Sequence, residues 1–275
     1  MLFLSEPAAP KPILRLEAVF PKRGAKRKRH RALPLKTNHV KDYLLFIDIE
    51  SSGLPLRWDL PYSEDQNWPH TVQVAWFVYT QAGQEVKHED HYIRPDGFEV
   101  DASSIEIHHL TPEFLQAHGK SREEVLLRLQ KDLREFQPMV VGHFMEFDYH
   151  VLSADYYRSG LPSPFEGLDT FCTMRASGEQ VRFSPRKYLR LGELYSYLFH
   201  KTLENQHNAV VDARAAAECY FELRQRHLIT AASVAGQQRQ SNKIRQETFA
   251  KPRRLKWLLW GLGLLLILLL LFYWL

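Results

Sequence analysis

Cysteine is scarce in this chain: only two of its 275 residues are cysteines, Cys172 and Cys219. Two cysteines this far apart suggest neither a disulfide framework nor a zinc cluster. The sequence also contains no internal repeat. We therefore expect a reducing, cytosol-facing location and one folded unit with appendages, since the length leaves room for little more than one domain.

The first 41 residues lack both the apolar stretch of a secretory signal and the hydrophobic periodicity of a folded segment. Residues 11–41 instead carry 11 lysines and arginines and one acidic residue, with the densest run at residues 21–31. Such a block of like charge is typical of a disordered segment. We predict that residues 1–41 are a basic arm that binds anionic lipid or nucleic acid. A solubilising tail without a specific partner is the alternative.

Positive charge is in turn scarce in the middle of the chain. Residues 42–238 carry 18 basic and 29 acidic side chains, a net charge of −11, whereas residues 239–275 carry seven basic side chains and one acidic. Attraction to phosphates or to anionic lipid must therefore come mainly from the two basic extensions.

Residues 257–275 lack charge altogether and consist mainly of leucine. Nineteen helical residues, at about 1.5 Å each, cross roughly the hydrocarbon thickness of a bilayer, and the run is longer than is typical of a buried core helix. Four basic residues at 251–256 precede it, which by the positive-inside rule keeps the folded part in the cytoplasm. We predict a C-terminal transmembrane helix over 257–275 after a basic linker, residues 231–256. The expected location is a bacterial inner membrane, with the eukaryotic endoplasmic reticulum as the alternative.

Residues 42–230 have the patterns of a folded domain. Residues 43–50 are apolar, rich in β-forming residues and stopped by Ser51-Ser52-Gly53, which predicts a buried strand ending in a turn. Further strands are predicted at 71–79, 85–94 and 139–142. Helices are predicted from a capping box at Ser121 to Phe136, and at 146–158, 188–199 and 208–227. Strands followed by alternating helices and strands indicate an α/β fold with a mixed β-sheet flanked by helices.

Four carboxylates and one histidine lie at the ends of these elements. Asp48 and Glu50 are two residues apart on the first predicted strand, so both side chains leave the same face. Asp148 falls in the first turn of the helix after the fourth strand, and Asp212 lies near the start of an alanine-rich helix, five residues after His207. Taken singly, each of these residues could equally be a surface residue or a helix cap with no catalytic role. Their occurrence together around one sheet favours a shared site.

Three segments resemble the motifs of the DEDDh 3′-to-5′ exonucleases. They are residues 46–54 (Phe-Ile-Asp-Ile-Glu-Ser-Ser-Gly-Leu), 141–148 (Val-Gly-His-Phe-Met-Glu-Phe-Asp) and 207–213 (His-Asn-Ala-Val-Val-Asp-Ala). Residues 107–111 and 168–170 add secondary similarity, and the resemblance covers about residues 42–227. Two departures stand out: Ser51 and Ser52 occupy positions where the first motif usually has threonine, and Phe144 replaces the usual asparagine of the second.

The resemblance implies a ribonuclease H-like fold, hydrolysis from a 3′ end with release of 5′-mononucleotides, and His207 as the general base. It implies two divalent ions held by four carboxylates: Asp48, Glu50, Asp148 and Asp212. Carboxylate oxygens favour Mg²⁺ or Mn²⁺ over zinc. The 3′-terminal nucleotide is expected to bind at a four-residue turn, made of Ser51, Ser52, Gly53 and Leu54.

DNA is the favoured substrate, and two alternatives remain. This chemistry handles either sugar, so an exoribonuclease or oligoribonuclease is the first; the contacts to the 2′-hydroxyl that discriminate are not visible in a sequence. The second is an inactive nucleic-acid-binding membrane scaffold, which would typically have lost one of the five site residues. The sequence makes no prediction of the oligomeric state.

Overall fold

The structure is a computed structural model that describes residues 41–64, 66–178 and 188–243. Nearly all of the predicted basic arm, residues 1–40, and the predicted transmembrane segment, residues 257–275, lie outside the described residues. Within the described ranges, no helix is long and apolar enough to cross a bilayer.

The centre of the fold is a five-stranded mixed sheet with the strand order β3-β2-β1-β4-β5. The pairs β1·β2 and β2·β3 are antiparallel, whereas β1·β4 and β4·β5 are parallel. The strands are β1 (Tyr43–Ser51), β2 (Thr71–Thr80), β3 (Glu85–Tyr92), β4 (Met139–Gly142) and β5 (Thr170–Cys172). The predicted mixed sheet flanked by helices is therefore confirmed.

The named helices follow the strands along the chain, and their bounds are α1 (Ala102–His108), α2 (Pro112–His118), α3 (Arg122–Phe136), α4 (Met145–Arg158), α5 (Thr173–Ser177), α6 (Leu191–Phe199) and α7 (Ala209–Gln225). The hydroxyl of Ser121 accepts the backbone N–H of Glu124, as the capping-box pattern predicts. Residues 231–243 are also helical.

Each face of β1 packs against a different pair of helices. Leu45 and Ile47 face α3 and α4, whereas Leu44 and Phe46 face α6 and α7. All four side chains are completely buried. Burial of each such side chain contributes about 1.5 to 3 kcal/mol, so β1 is held firmly from both sides. The same alternation directs Asp48 towards α7.

Four of the numbered elements were not predicted from the sequence: α1, α2, α5 and β5. Each has seven residues or fewer, too short for a hydrophobic period to be visible. Residues 231–243, the first half of the predicted basic linker, are helical and bound to the sheet. The side-chain amide of Gln237 accepts the N–H of Cys172 at 2.9 Å and donates to its carbonyl at 3.2 Å. The folded unit therefore extends past residue 230.

Candidate metal centre

Three carboxylates meet where β1 ends and α7 begins. One oxygen atom from each of Asp48, Glu50 and Asp212 lies within 4.8 Å of the others. Asp48 and Glu50 leave the same face of β1 because side chains two apart alternate back to one side. That face is covered by α7, which carries Asp212 in its first turn. The fold thus builds an acidic triad able to hold a divalent metal ion.

Asp148 lies beside this acidic triad. It is in the first turn of α4, which starts directly after β4, the parallel neighbour of β1. The backbone N–H groups of Asp148 itself and of Ile49, the residue between Asp48 and Glu50, act on its carboxyl group and lower its pKa. Gly142 leaves room for this approach, since a Cβ atom there would lie 3.3 Å from Oδ2 of Asp148.

Burial raises the pKa of all four carboxyl groups, and repulsion by neighbouring carboxylates raises the pKa values of Asp48 and Glu50 further. The pKa of Glu50 rises to about 8, mainly because the group is buried and further because Asp212 and Asp148 are close. Burial also raises the pKa of Asp148 to about 8, and it raises the pKa values of Asp48 and Asp212. Four carboxylates ionised together in this space would repel one another, and a divalent cation would relieve the repulsion.

One oxygen atom of Asp212 marks where a cation fits. Its Oδ2 accepts the backbone N–H of His207 at 3.0 Å. Its Oδ1 is buried and has no hydrogen-bond partner among the described residues. An unpaired buried acceptor of this kind costs about 1 to 3 kcal/mol, more when it is charged. Carboxylate oxygens are the ligands that hard divalent ions prefer, so these residues fit such an ion.

His207 lies on the loop before α7, with an exposed side chain and a left-handed backbone, φ 65°. Two residues fix the helix start next to it. The Asn208 side chain accepts the N–H of Val210 at 3.1 Å, and Oε1 of Gln73 accepts the N–H of Ala209 at 3.2 Å. The asparagine cap is visible in the sequence. The contact from Gln73, in β2, has no local signal. The role of His207 as general base remains a prediction.

The turn after Glu50 presents one side chain to solvent. Oγ of Ser51 donates to the carbonyl of Gly53 at 2.8 Å, and Oγ of Ser52 accepts the N–H of His70 at 2.9 Å. A Cβ atom at position 53 would collide with the carboxylate of Asp101. Both hydroxyls thus hold the turn together, whereas Leu54 is 77% exposed. Binding of a nucleotide by these four residues remains a prediction.

His108 is a buried residue near this turn that was not among the predicted site residues. Its Nδ1 accepts the N–H of Leu110 at 3.0 Å, and its Nε2 is buried with no partner among the described residues. Burial lowers the pKa of His108, and the nearby His109 and His207 lower it further. The only sequence signal was the similarity of residues 107–111 to a family segment.

Comparison with known proteins was made on sequence and on fold. The profile of the Exonuclease (RNase_T) family matches residues 45–220, which is more than half of the chain. No sequence among the curated proteins matches this chain.

The fold is similar to solved structures of exonuclease I. One such structure superposes with a TM-score of 0.56 and 18% identity, covering 68% of this chain and 42% of the other. Escherichia coli exonuclease I in complex with a dT13 oligonucleotide gives 0.55 and 18%, covering 68% and 42%. Exonuclease I from Methylocaldum szegediense gives 0.55 and 18%, covering 67% and 40%. The chain spans about two fifths of the length of these proteins, and at such identities the likeness shows the fold alone.

Proposed function

Because this chain belongs to the exonuclease family, we propose that it is a metal-dependent 3′-to-5′ exonuclease of the DEDDh type that releases 5′-mononucleotides, with DNA favoured as substrate. One observation carries the proposal: the ligand oxygens of Asp48, Glu50 and Asp212 lie within 4.8 Å of one another, and one buried oxygen of Asp212 has no protein partner among the described residues. The fold similarity to exonuclease I bound to dT13 supports single-stranded DNA as a substrate.

The four carboxylates Asp48, Glu50, Asp148 and Asp212 would hold two Mg²⁺ or Mn²⁺ ions. Bound divalent ions supply activation of the attacking water and stabilisation of charge on the leaving oxygen. His207 would accept the proton of that water as general base, since imidazole exchanges protons near neutral pH. Its exposed position suits this role, and its backbone N–H bonds directly to Asp212 of the triad.

The turn of Ser51, Ser52, Gly53 and Leu54 would orient the 3′-terminal nucleotide. The hydrogen bonds of Ser51 to Gly53 and of Ser52 to His70 hold the turn, and Leu54 is exposed, so that its side chain can contact a base. A rigid turn beside the triad would place the last phosphodiester near the carboxylates and leave the rest of the strand outside.

The direct test is hydrolysis of strands labelled at the 5′ end. The full-length protein in detergent is incubated with single- and double-stranded DNA and RNA, in Mg²⁺, Mn²⁺ or EDTA. We expect a ladder of shortened labelled strands that needs a divalent ion and is strongest for DNA. Immediate release of a labelled mononucleotide would show the opposite polarity, and a ladder from RNA alone would favour the exoribonuclease.

We also propose that residues 257–275 tether the enzyme to a membrane, with the catalytic domain cytoplasmic and a bacterial inner membrane as the expected location. The support is the uncharged apolar run and the four basic residues that precede it. Deletion of residues 252–275 should move the protein from the membrane fraction to the soluble fraction with full activity. A truncated protein that is folded yet inactive would make the segment part of the catalytic assembly.

A further inference from the structure

Two large aromatic side chains remain exposed beside the metal centre. Trp58 is 41% exposed and Phe144 is 39% exposed, and their ring centroids are 5.7 Å apart. We call this pair the aromatic shelf. Leu54 and Leu56, on the same loop as Trp58, are also exposed. Large apolar side chains concentrated at one place on a surface mark a contact site more often than scattered single ones do.

The loop that carries Trp58 is built rigidly. The side chain of Asn67 accepts the N–H of Arg57 and donates to its carbonyl, both at 2.9 Å. A third bond joins the N–H of Leu56 to the carbonyl of Asn67 at 3.1 Å. The Trp58 ring packs edge-on against Trp68 at 6.1 Å. A ring held in this way loses little conformational freedom when it binds a ligand.

Phe144 is fixed from below by α4. Its ring stacks on Phe147 with a centroid distance of 6.1 Å and an interplanar angle of 14°. Phe144 is the N-cap of α4 and lies one helical turn before Asp148. The Trp58 loop starts at Ser52, two residues after Glu50. Both halves of the aromatic shelf are therefore attached directly to elements that carry the metal centre.

The backbone conformation of Phe144 is unusual for an aromatic residue and independently indicates a role for its ring. Its φ is 74°, in the left-handed region that asparagine adopts far more readily than a bulky residue. Asparagine is the residue usual in the related motif. A large aromatic residue that is kept in this conformation, half exposed and next to a catalytic carboxylate, is the kind of outlier that marks functional sites.

The charge of the domain favours bases over phosphates as the group that is bound. Residues 42–238 have a net charge of −11, so phosphate contacts contribute little attraction here. Arg57, the cation next to Trp58, is paired with Asp59 through two hydrogen bonds of 3.1 and 2.9 Å. Stacking of bases on aromatic rings needs no net positive charge and accepts any base.

We propose that the aromatic shelf of Trp58 and Phe144 stacks unpaired bases just upstream of the 3′-terminal nucleotide, and so selects single-stranded ends. This inference rests on the proposed exonuclease function. Bases in a duplex cannot stack on the shelf, because their faces are already covered by neighbouring base pairs. The shelf therefore sets the substrate preference and leaves the hydrolytic step to the carboxylates.

The test uses the full-length protein in detergent with Trp58→Ala, Phe144→Asn and Trp58→Phe variants. The matched control is Tyr157→Ala, which removes an exposed ring at the other end of α4. For an intact single strand, we expect KM to rise about five-fold or more in Trp58→Ala and Phe144→Asn with little change in kcat, the usual effect of losing one stacked base. Trp58→Phe should retain most of the affinity, and Tyr157→Ala should match the wild type.

A strand with abasic sites at the second and third positions from its 3′ end separates stacking from a general loss of structure. The wild type should show a raised KM on this strand, and the alanine and asparagine variants should show no further rise, since the two changes remove the same contact. Phe144→Asn suits its backbone conformation, so it tests the shelf even if Trp58→Ala does not fold.

Several outcomes would overturn the inference. An unchanged KM of Phe144→Asn on the intact strand would do so. The same holds if the variants raise KM over the wild type as much on the abasic strand as on the intact strand. Insertion of Trp58 into anionic vesicles, seen as a fluorescence blue shift with KM unaffected by its mutation, would instead make the shelf a lipid contact. A wild-type protein inactive on every strand in Mg²⁺ and Mn²⁺ would count against the proposed function itself.

Discussion

The backbone N–H of His207 donates a 3.0 Å hydrogen bond to Oδ2 of Asp212. The residue proposed to take a proton from water thus also holds one of the proposed metal ligands, through a group that does not depend on its side chain. The imidazole itself is exposed. The two contributions of His207 can therefore be separated by mutation.

His207→Ala should slow cleavage by about 10² to 10⁴, the usual contribution of a general base, while metal binding stays intact because the N–H is retained. The residual rate should increase with pH as hydroxide replaces the imidazole. Initial rates between pH 6 and about 9.5 measure this. His200→Ala is the matched control, since His200 is also exposed and left-handed, φ 56°. An unchanged rate at neutral pH would assign the role to another group.

Asp212→Asn and Asp148→Asn should each abolish Mg²⁺-dependent cleavage without lowering the melting temperature in EDTA, because each removes a buried carboxyl group whose ionisation the fold disfavours. The stabilisation by metal, about 2.7 kcal/mol at a hundred times Kd, should also be lost. Thermal melts with and without Mg²⁺ give both quantities.

The control for these two variants is Asp132→Asn. Asp132 is a buried carboxylate that accepts hydrogen bonds from Trp76 and Lys87, both at 2.8 Å. Its removal should lower the melting temperature and leave the response to Mg²⁺ unchanged. Substantial activity in Asp148→Asn or Asp212→Asn would remove that residue from the metal centre.

The stability of the metal-free protein should fall as the pH rises. The pKa of Glu50 is about 8 in the folded state against 4.5 ordinarily, so between these values the folded protein keeps a proton that the unfolded chain releases. Its stabilising contribution is complete below pH 4.5 and is lost as the pH passes 8. Melting temperatures in EDTA over this range should decline, and saturating Mg²⁺ should flatten the profile. A metal-free profile that rises with pH would contradict the raised carboxyl pKa values.

Deletion of residues 1–40 should leave the turnover of saturating substrate nearly unchanged but weaken binding and flatten its salt dependence, because fewer counterions are released. Fluorescence anisotropy of a labelled oligonucleotide across a salt series measures the slope. Replacing every lysine and arginine of the arm with glutamine keeps its length and should have the same effect. Anionic vesicles should compete for the intact arm, at about 1 kcal/mol per basic residue near the surface. A salt slope unaffected by the deletion would leave the arm without a role in binding.

The parts of the fold that the sequence predicted are those with a local pattern. The apolar run that ends at Glu50 and the capping box at Ser121 depend on neighbouring residues, and both appear where expected. The strand β5 has three residues and forms by pairing with β4, so no local sequence pattern predicts it. The helix at 231–243 has a weak apolar pattern, and it is joined to the rest of the fold through Gln237, Gln238 and Val234.

The same division applies to the metal centre. The alternation of a strand predicted that Asp48 and Glu50 share a face. The approach of Asp148 to Ile49, and the Gln73 contact that positions α7, join residues about 100 or more apart in sequence, which no local pattern encodes. Likewise the sequence shows that Phe144 replaces the usual asparagine of the motif. Its contact with Trp58 depends on how the long loop packs against α4, which the sequence does not show.

Gln237 limits the pairing of strands from other proteins with the edge of the sheet at β5. Its side-chain amide pairs with both the backbone N–H and the backbone carbonyl of Cys172, as a residue of a sixth strand would. An open sheet edge invites pairing with strands from other proteins and is a common origin of aggregation. At Cys172 the chain closes this edge with its own glutamine, so a strand added to the sheet would have to displace the helix 231–243 or attach at β3 on the opposite side.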